Sequence, residues 1–171
     1  MEDTKTRFMD CLSIIQHEIA RTIRCMNNGG CGVFAYLIAS RMEEYGLSPR
    51  IRVFSRENPA GFGSIEELEE ELVNNNNNRL KEWNSHNLNF SHVMVQLDDM
   101  IFDSDHTRQV HCYEQDGWLC SKLVKGSIRI ETMAELAHDA GWNMMYDRSQ
   151  NGLVEKIITE CFAECFEVEP A

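Results

Sequence analysis

The residue types that make a cysteine nucleophile work occur in this chain at Cys31, His92 and the pair Asp103 and Asp105. Such chemistry needs a thiolate, an imidazole that takes and returns its proton, and an acceptor that orients the imidazole. Cys31 lies in Asn27-Asn28-Gly29-Gly30-Cys31-Gly32-Val33-Phe34-Ala35-Tyr36-Leu37, which reads as a glycine turn emptying into a helix. Phe34, Leu37, Ile38 and Met42 recur with helical spacing, and Gly46 supplies a stop. A thiol in the first helical turn meets unpaired N–H groups and the positive end of the macrodipole, which favour its anion. The bland reading is a small buried cysteine at a loop-to-helix joint.

His92 opens one strand of an expected β-hairpin. Phe90-Ser91-His92-Val93-Met94-Val95-Gln96-Leu97 and Met100-Ile101-Phe102-Asp103 flank the turn Asp98-Asp99 with alternating patterns. In a two-residue-turn register Leu97 faces Met100, Val95 faces Phe102 and Met94 faces Asp103. Asp103 is then a diagonal neighbour of His92 on one sheet face, and Asp105 stands directly opposite His92. Two arguments favour Asp103 as the orienting acid. It follows Ile101-Phe102, so it is expected to be shielded from water, where a carboxylate–imidazole bond is strongest. Asp105 sits in a polar run that reads as loop. The alternative is a surface histidine among solvated aspartates. The backbone N–H of Cys31 could stabilise an oxyanion, with the side chain of Asn27 or Asn28 as a second donor. Turn formation is the other role open to both asparagines.

The surrounding elements can be read in order. Thr4 can cap a long first helix, with Phe8, Leu12, Ile15, Ile19, Ile23 and Met26 forming an apolar stripe that runs to the glycine turn. The Cys31 helix continues to about Tyr45, and Arg50 to Phe54 alternate as a strand. Ser64-Ile65-Glu66-Glu67 is a capping box for a short acidic helix through Leu72. Asn74 to Asn78 reads as a flexible loop, and Arg79 to Trp83 as a further helical turn. Strands are expected at 118–124 and 127–130, a helix from Thr132 to Ala140 and a last helix from Leu153 to Phe166. The layout is α+β, with helices packed on a mostly antiparallel sheet, and 171 residues suit one domain.

Composition narrows the partners. A net charge of −12 opposes binding to phosphate backbones, so nucleic acid is not expected. No apolar run is long enough to span a bilayer. Seven scattered cysteines without secretory features read as reduced thiols in a cytoplasmic protein. His106, His111, Cys112 and Cys120 cluster, and Cys161 and Cys165 share a helix face, but none has zinc-knuckle spacing. No metal or cofactor is expected, and Gly29-Gly30-Cys31-Gly32 is not a phosphate-binding loop.

Gly-Gly-Cys-Gly leading into an apolar helix, then His-x-x-Val on a strand, a short turn and apolar-Phe-Asp resemble the transglutaminase-like branch of the papain-like fold. The resemblance covers roughly Asn27 to Thr107. The superfamily includes transglutaminase-like peptidases and arylamine N-acetyltransferases, with a Cys-His-Asp triad in this chain order. It implies a papain-like fold with the nucleophile at a helix N-terminus, Cys31 as nucleophile, His92 as general base and acid, and Asp103 as orienting carboxylate. The chain differs in having Met94 where tryptophan is common and Asp103-Ser104-Asp105 in place of Asp-Pro-Thr. The expected activity is cysteine-dependent acyl transfer, first as hydrolysis of a peptide or isopeptide bond in a protein or peptide substrate, with transfer to an amine as the same chemistry. A catalytically silent protein using its acidic face to bind a basic partner is the alternative of a different class.

Overall fold

A computed structural model describes residues 3–55, 90–110 and 145–166 of the 171. The expected elements at 64–72, 79–83, 118–124, 127–130 and 132–140, and the residues His111, Cys112 and Cys120, lie outside them.

Helix α1 spans Thr4–Thr22 and buries Phe8, Cys11, Leu12, Ile15 and Ile19, the stripe expected from their spacing. Asp3, not Thr4, is its N-cap. The helix also stops short of the glycine turn. Ile23 leaves it in an extended conformation, with φ −101° and ψ 131°, and Cys25 adopts a left-handed φ of 58°. Ile23 and Met26 remain buried from this irregular turn, so their burial does not require the helix to continue.

Helix α2 spans Cys31–Glu44, and its interior residues from Val33 to Met42 fill the centre of the core. Its end is a Schellman motif. Gly46 has φ 82°, Leu47 N–H donates to the Met42 carbonyl at 2.9 Å and Gly46 N–H to the Glu43 carbonyl at 3.1 Å.

The sheet comprises β1 (Arg50–Ser55), β2 (Phe90–Leu97), β3 (Met100–Phe102) and β4 (Thr107–Gln109), in that spatial order and antiparallel throughout. The β2–β3 register pairs Leu97 with Met100 and Val95 with Phe102, as the two-residue turn requires. Strand β4 was not expected. Asp103 N–H donates to the His106 carbonyl at 3.0 Å, and that tight turn brings Thr107 opposite Phe102.

Helix α3 spans Asn151–Phe166 after a 3₁₀ turn at Arg148–Gln150, so it begins slightly before the expected Leu153. It buries Val154, Ile158, Cys161 and Phe162. Phe8 joins the layers, lying 5.5 Å from the Phe102 ring of the sheet and 5.9 Å from Phe162 of α3. Alternation turns Val93, Val95 and Leu97 into the helical core. It gathers His92, Met94 and Gln96 on the opposite face of β2. The described residues thus form a mixed α+β structure, three helices against a four-stranded antiparallel sheet. No described helix is long and apolar enough to cross a membrane.

Candidate active site

Cys31 is the first residue of α2, where N–H groups have no carbonyl within the helix to pair with. Two glycines bring it there for different reasons. Gly29 has φ 110°, which side chains rarely tolerate. Gly30 is needed for space: a Cβ would lie 2.7 Å from the Met26 carbonyl oxygen and 2.8 Å from Cγ of Tyr146. The turn before them is pinned from the far end of the chain. Met145 and Tyr146 N–H donate to the Asn28 carbonyl at 3.2 and 3.1 Å, and Gln150 bonds both N–H and C=O of Arg24.

The imidazole comes from β2. His92 Nε2 lies 2.8 Å from Asp103 Oδ2, and the Cys31 thiol is near enough to the ring to raise its basicity. With Nε2 on the carboxylate, Nδ1 is the nitrogen available to the sulfur. Burial pulls the basicity of His92 down, but the bonds to Asp103 and Cys31 outweigh it, and the ring is pushed up to about 10.

Asp103, 5% exposed, is fully engaged. Its Oδ1 accepts from the N–H groups of Asp105 and His106, both at 2.8 Å, while Oδ2 faces His92. Burial pushes this carboxyl up, but the bonds from His92 and the two N–H groups prevail and hold it at about 2. The carboxylate therefore stays ionised beside the imidazole. Gln16 of α1 fastens the same turn, donating to the Asp103 carbonyl at 3.0 Å and to Thr107 Oγ1 at 3.1 Å.

Asp105 does not stand opposite His92. Strand β3 ends at Phe102, and the reversal at Asp103–His106 takes Asp105 out of the ladder before it can pair. It is exposed, and its Oδ2 accepts from Asn27 Nδ2 at 2.8 Å. Asn27 Oδ1 in turn accepts from the buried Ser104 hydroxyl at 3.0 Å. Asn27 thus ties the nucleophile's turn to the carboxylate's turn. Asn28 is exposed, and its backbone carbonyl serves as the anchor for residues 145–146.

Gln16, Ser104 and Tyr146 were not singled out from sequence. Gln16 alone carried a signal, as a polar residue on the flank of the α1 stripe beside Ile15 and Ile19. Among the described residues no three His, Cys, Asp or Glu side chains converge to hold a metal ion. The arrangement has the parts for nucleophilic catalysis: a thiol at a helix N-terminus, a histidine near it and a buried carboxylate on the histidine. Compared with protein-family models, curated proteins and solved structures, the chain matches none, so its chemistry is argued from these residues alone.

Proposed function

We propose that this protein is a cysteine-dependent acyl-transfer enzyme built on a papain-like, transglutaminase-like plan. One observation carries the reading: at the start of a helix the Cys31 thiol lies near enough to His92 to raise its basicity, and the His92 ring is hydrogen-bonded to the buried Asp103. Pushed up to about 10, the His92 ring is an imidazolium at neutral pH, and it supports the anionic sulfur as it attacks an amide or thioester carbonyl. Asp103 holds Nε2–H and stabilises that imidazolium. The negative oxygen of the tetrahedral intermediate is met by the Cys31 N–H at the helix start. Collapse expels the amine or thiol, which takes its proton from His92, and leaves a thioester on Cys31. Water, or an amine, then attacks with His92 as base. Hydrolysis of a peptide or isopeptide bond is the first reading, and amine transfer uses the same steps.

The test is acylation of the intact protein by p-nitrophenyl acetate. A burst of nitrophenolate and an acetyl group located on Cys31 by mass spectrometry are expected, both lost in Cys31→Ala. Cys11 is the contrasting case, because burial first and contact with Cys165 second push its thiol up and keep it protonated. Burial likewise pushes Cys161 up to about 11. Acetyl groups spread without preference over the cysteines would sink the proposal and leave an acidic binding protein on the same fold.

A further inference from the structure

Both ends of the Asn27 amide are engaged, and both partners lie in one turn far along the chain. Its Nδ2 donates to Asp105 Oδ2 at 2.8 Å, and its Oδ1 accepts from the Ser104 hydroxyl at 3.0 Å. The partners fix the orientation of the amide, because a carboxylate only accepts and so takes the N–H₂, leaving the oxygen for Ser104. The two bonds differ in weight. Asp105 is exposed, and water competes for its oxygens. Ser104 is fully buried, so losing its acceptor would leave a buried donor unpaired.

The amide stands between the two halves of the site. On one side, Asn28 N–H donates to the Cys25 carbonyl and Gly30 N–H to the Met26 carbonyl, both at 2.9 Å. Asn27 therefore lies in a closed turn that leads directly to Cys31 at the start of α2. On the other side, Asp105 N–H donates to Asp103 Oδ1 at 2.8 Å, and Asp103 Oδ2 lies 2.8 Å from His92 Nε2. Among the described residues, the hydrogen bonds between residues 23–30 and residues 103–107 are both made by Asn27.

We propose that Asn27 is a positioning residue that sets the separation of the Cys31 sulfur from the His92 ring, by fixing the nucleophile's turn against the Ser104-Asp105 turn. Its value to catalysis rests on the acyl-transfer reading. The positioning itself does not.

The experiment follows alkylation of Cys31 by iodoacetamide at neutral pH in the full chain, with Cys165 as internal reference, beside urea unfolding of the same variants. Asn27→Ala removes both bonds. Cys31 then slows about tenfold or more, because small displacements of reacting groups carry penalties of that order. The unfolding midpoint falls as well, since the Ser104 hydroxyl has lost its acceptor. Adding Ser104→Ala takes the unpaired hydroxyl away. The midpoint then recovers while the Cys31 rate stays low, a split that a purely structural role does not produce. Asn27→Asp combined with Asp105→Asn rebuilds both bonds with amide and carboxylate exchanged, and reacts within about twofold of the unaltered chain. An Asn27→Ala rate equal to that of the unaltered chain overturns the proposal. A rate that recovers together with the midpoint when Ser104→Ala is added overturns it too, as does an exchanged pair no faster than Asn27→Ala/Ser104→Ala. If Asn27→Ala alone does not fold, the two double variants give the same decision. Should p-nitrophenyl acetate fail to acetylate Cys31 while these alkylation results hold, the acyl-transfer reading falls and the positioning role stands.

Discussion

Asp103→Asn separates an orienting carboxylate from a merely buried one. A carboxyl held at about 2, against its ordinary 3.8, is stabilised as the anion by about 2 kcal/mol at neutral pH. Asparagine keeps an oxygen for the N–H groups of Asp105 and His106, so roughly half of that is retained and the fold loses about 1 kcal/mol. The effect on His92 is larger in kind. The new amide presents an N–H₂ to Nε2, which then must accept, and the ring proton moves to Nδ1. Without the carboxylate the ring is neutral with its proton on Nδ1, so it neither accepts the thiol proton nor offers the positive charge that supports the sulfur anion. Alkylation of Cys31 by iodoacetamide at neutral pH, followed peptide by peptide with Cys25 and Cys165 as internal references, should slow by roughly two to four orders of magnitude. Asp105→Asn should leave the rate nearly unchanged, because Asp105 contacts Asn27 and not the ring. A Cys31 rate in Asp103→Asn equal to that of the unaltered chain would refute the reasoning, and the reverse ranking of the two variants would move the role to Asp105.

Three further outcomes follow from the same geometry. Gly30→Ala puts a methyl against the Met26 carbonyl and the Tyr146 ring, so it should cost about 1–3 kcal/mol in denaturant unfolding and slow Cys31 alkylation. Cys25→Gly should raise the unfolding midpoint, since a left-handed φ costs a side-chain-bearing residue about 1–2 kcal/mol and glycine almost nothing. Thermal stability should fall on both flanks of neutral pH: Asp103 contributes above 3.8 and loses its contribution as pH falls through about 2. His92 contributes fully below 6.5 and loses its contribution as pH rises through about 10. Asp103→Asn should flatten both limbs, and a pH profile that the substitution does not alter would contradict the assigned bonds.

What could be read in advance was local. The hairpin register followed from alternation on either side of Asp98-Asp99; taken alone it put Asp105 opposite His92, and the preference for Asp103 came from its place behind Ile101-Phe102, where it is shielded from water. The start of α2 at Cys31 followed from glycines ahead of an apolar helical repeat. Period alone misplaced the end of α1, because Ile23 and Met26 keep a helical spacing while being buried from a turn. Strand β4, Thr107-Arg108-Gln109, has no apolar alternation to reveal it and exists as a backbone partner for β3. Tyr146 and Gln16 matter through contacts made far away in the chain, on Gly30 and on the Asp103 turn, and no window of sequence contains both sides of either contact.

The tie between Asn27 and the Ser104-Asp105 turn has a kinetic meaning. It joins segments 77 and 78 residues apart, and Gln16 reaches Asp103 across 87. Closing such separations is entropically expensive until both partners are already structured. The hairpin and the helices can therefore form while Cys31 and His92 are still strangers, and the relay between them assembles in a late step of folding. The same order runs backwards under denaturant, where this docking is the first thing to loosen. Reactivity of Cys31 should consequently disappear at a lower urea concentration than the helical signal, which makes the thiol a reporter of the final docking event.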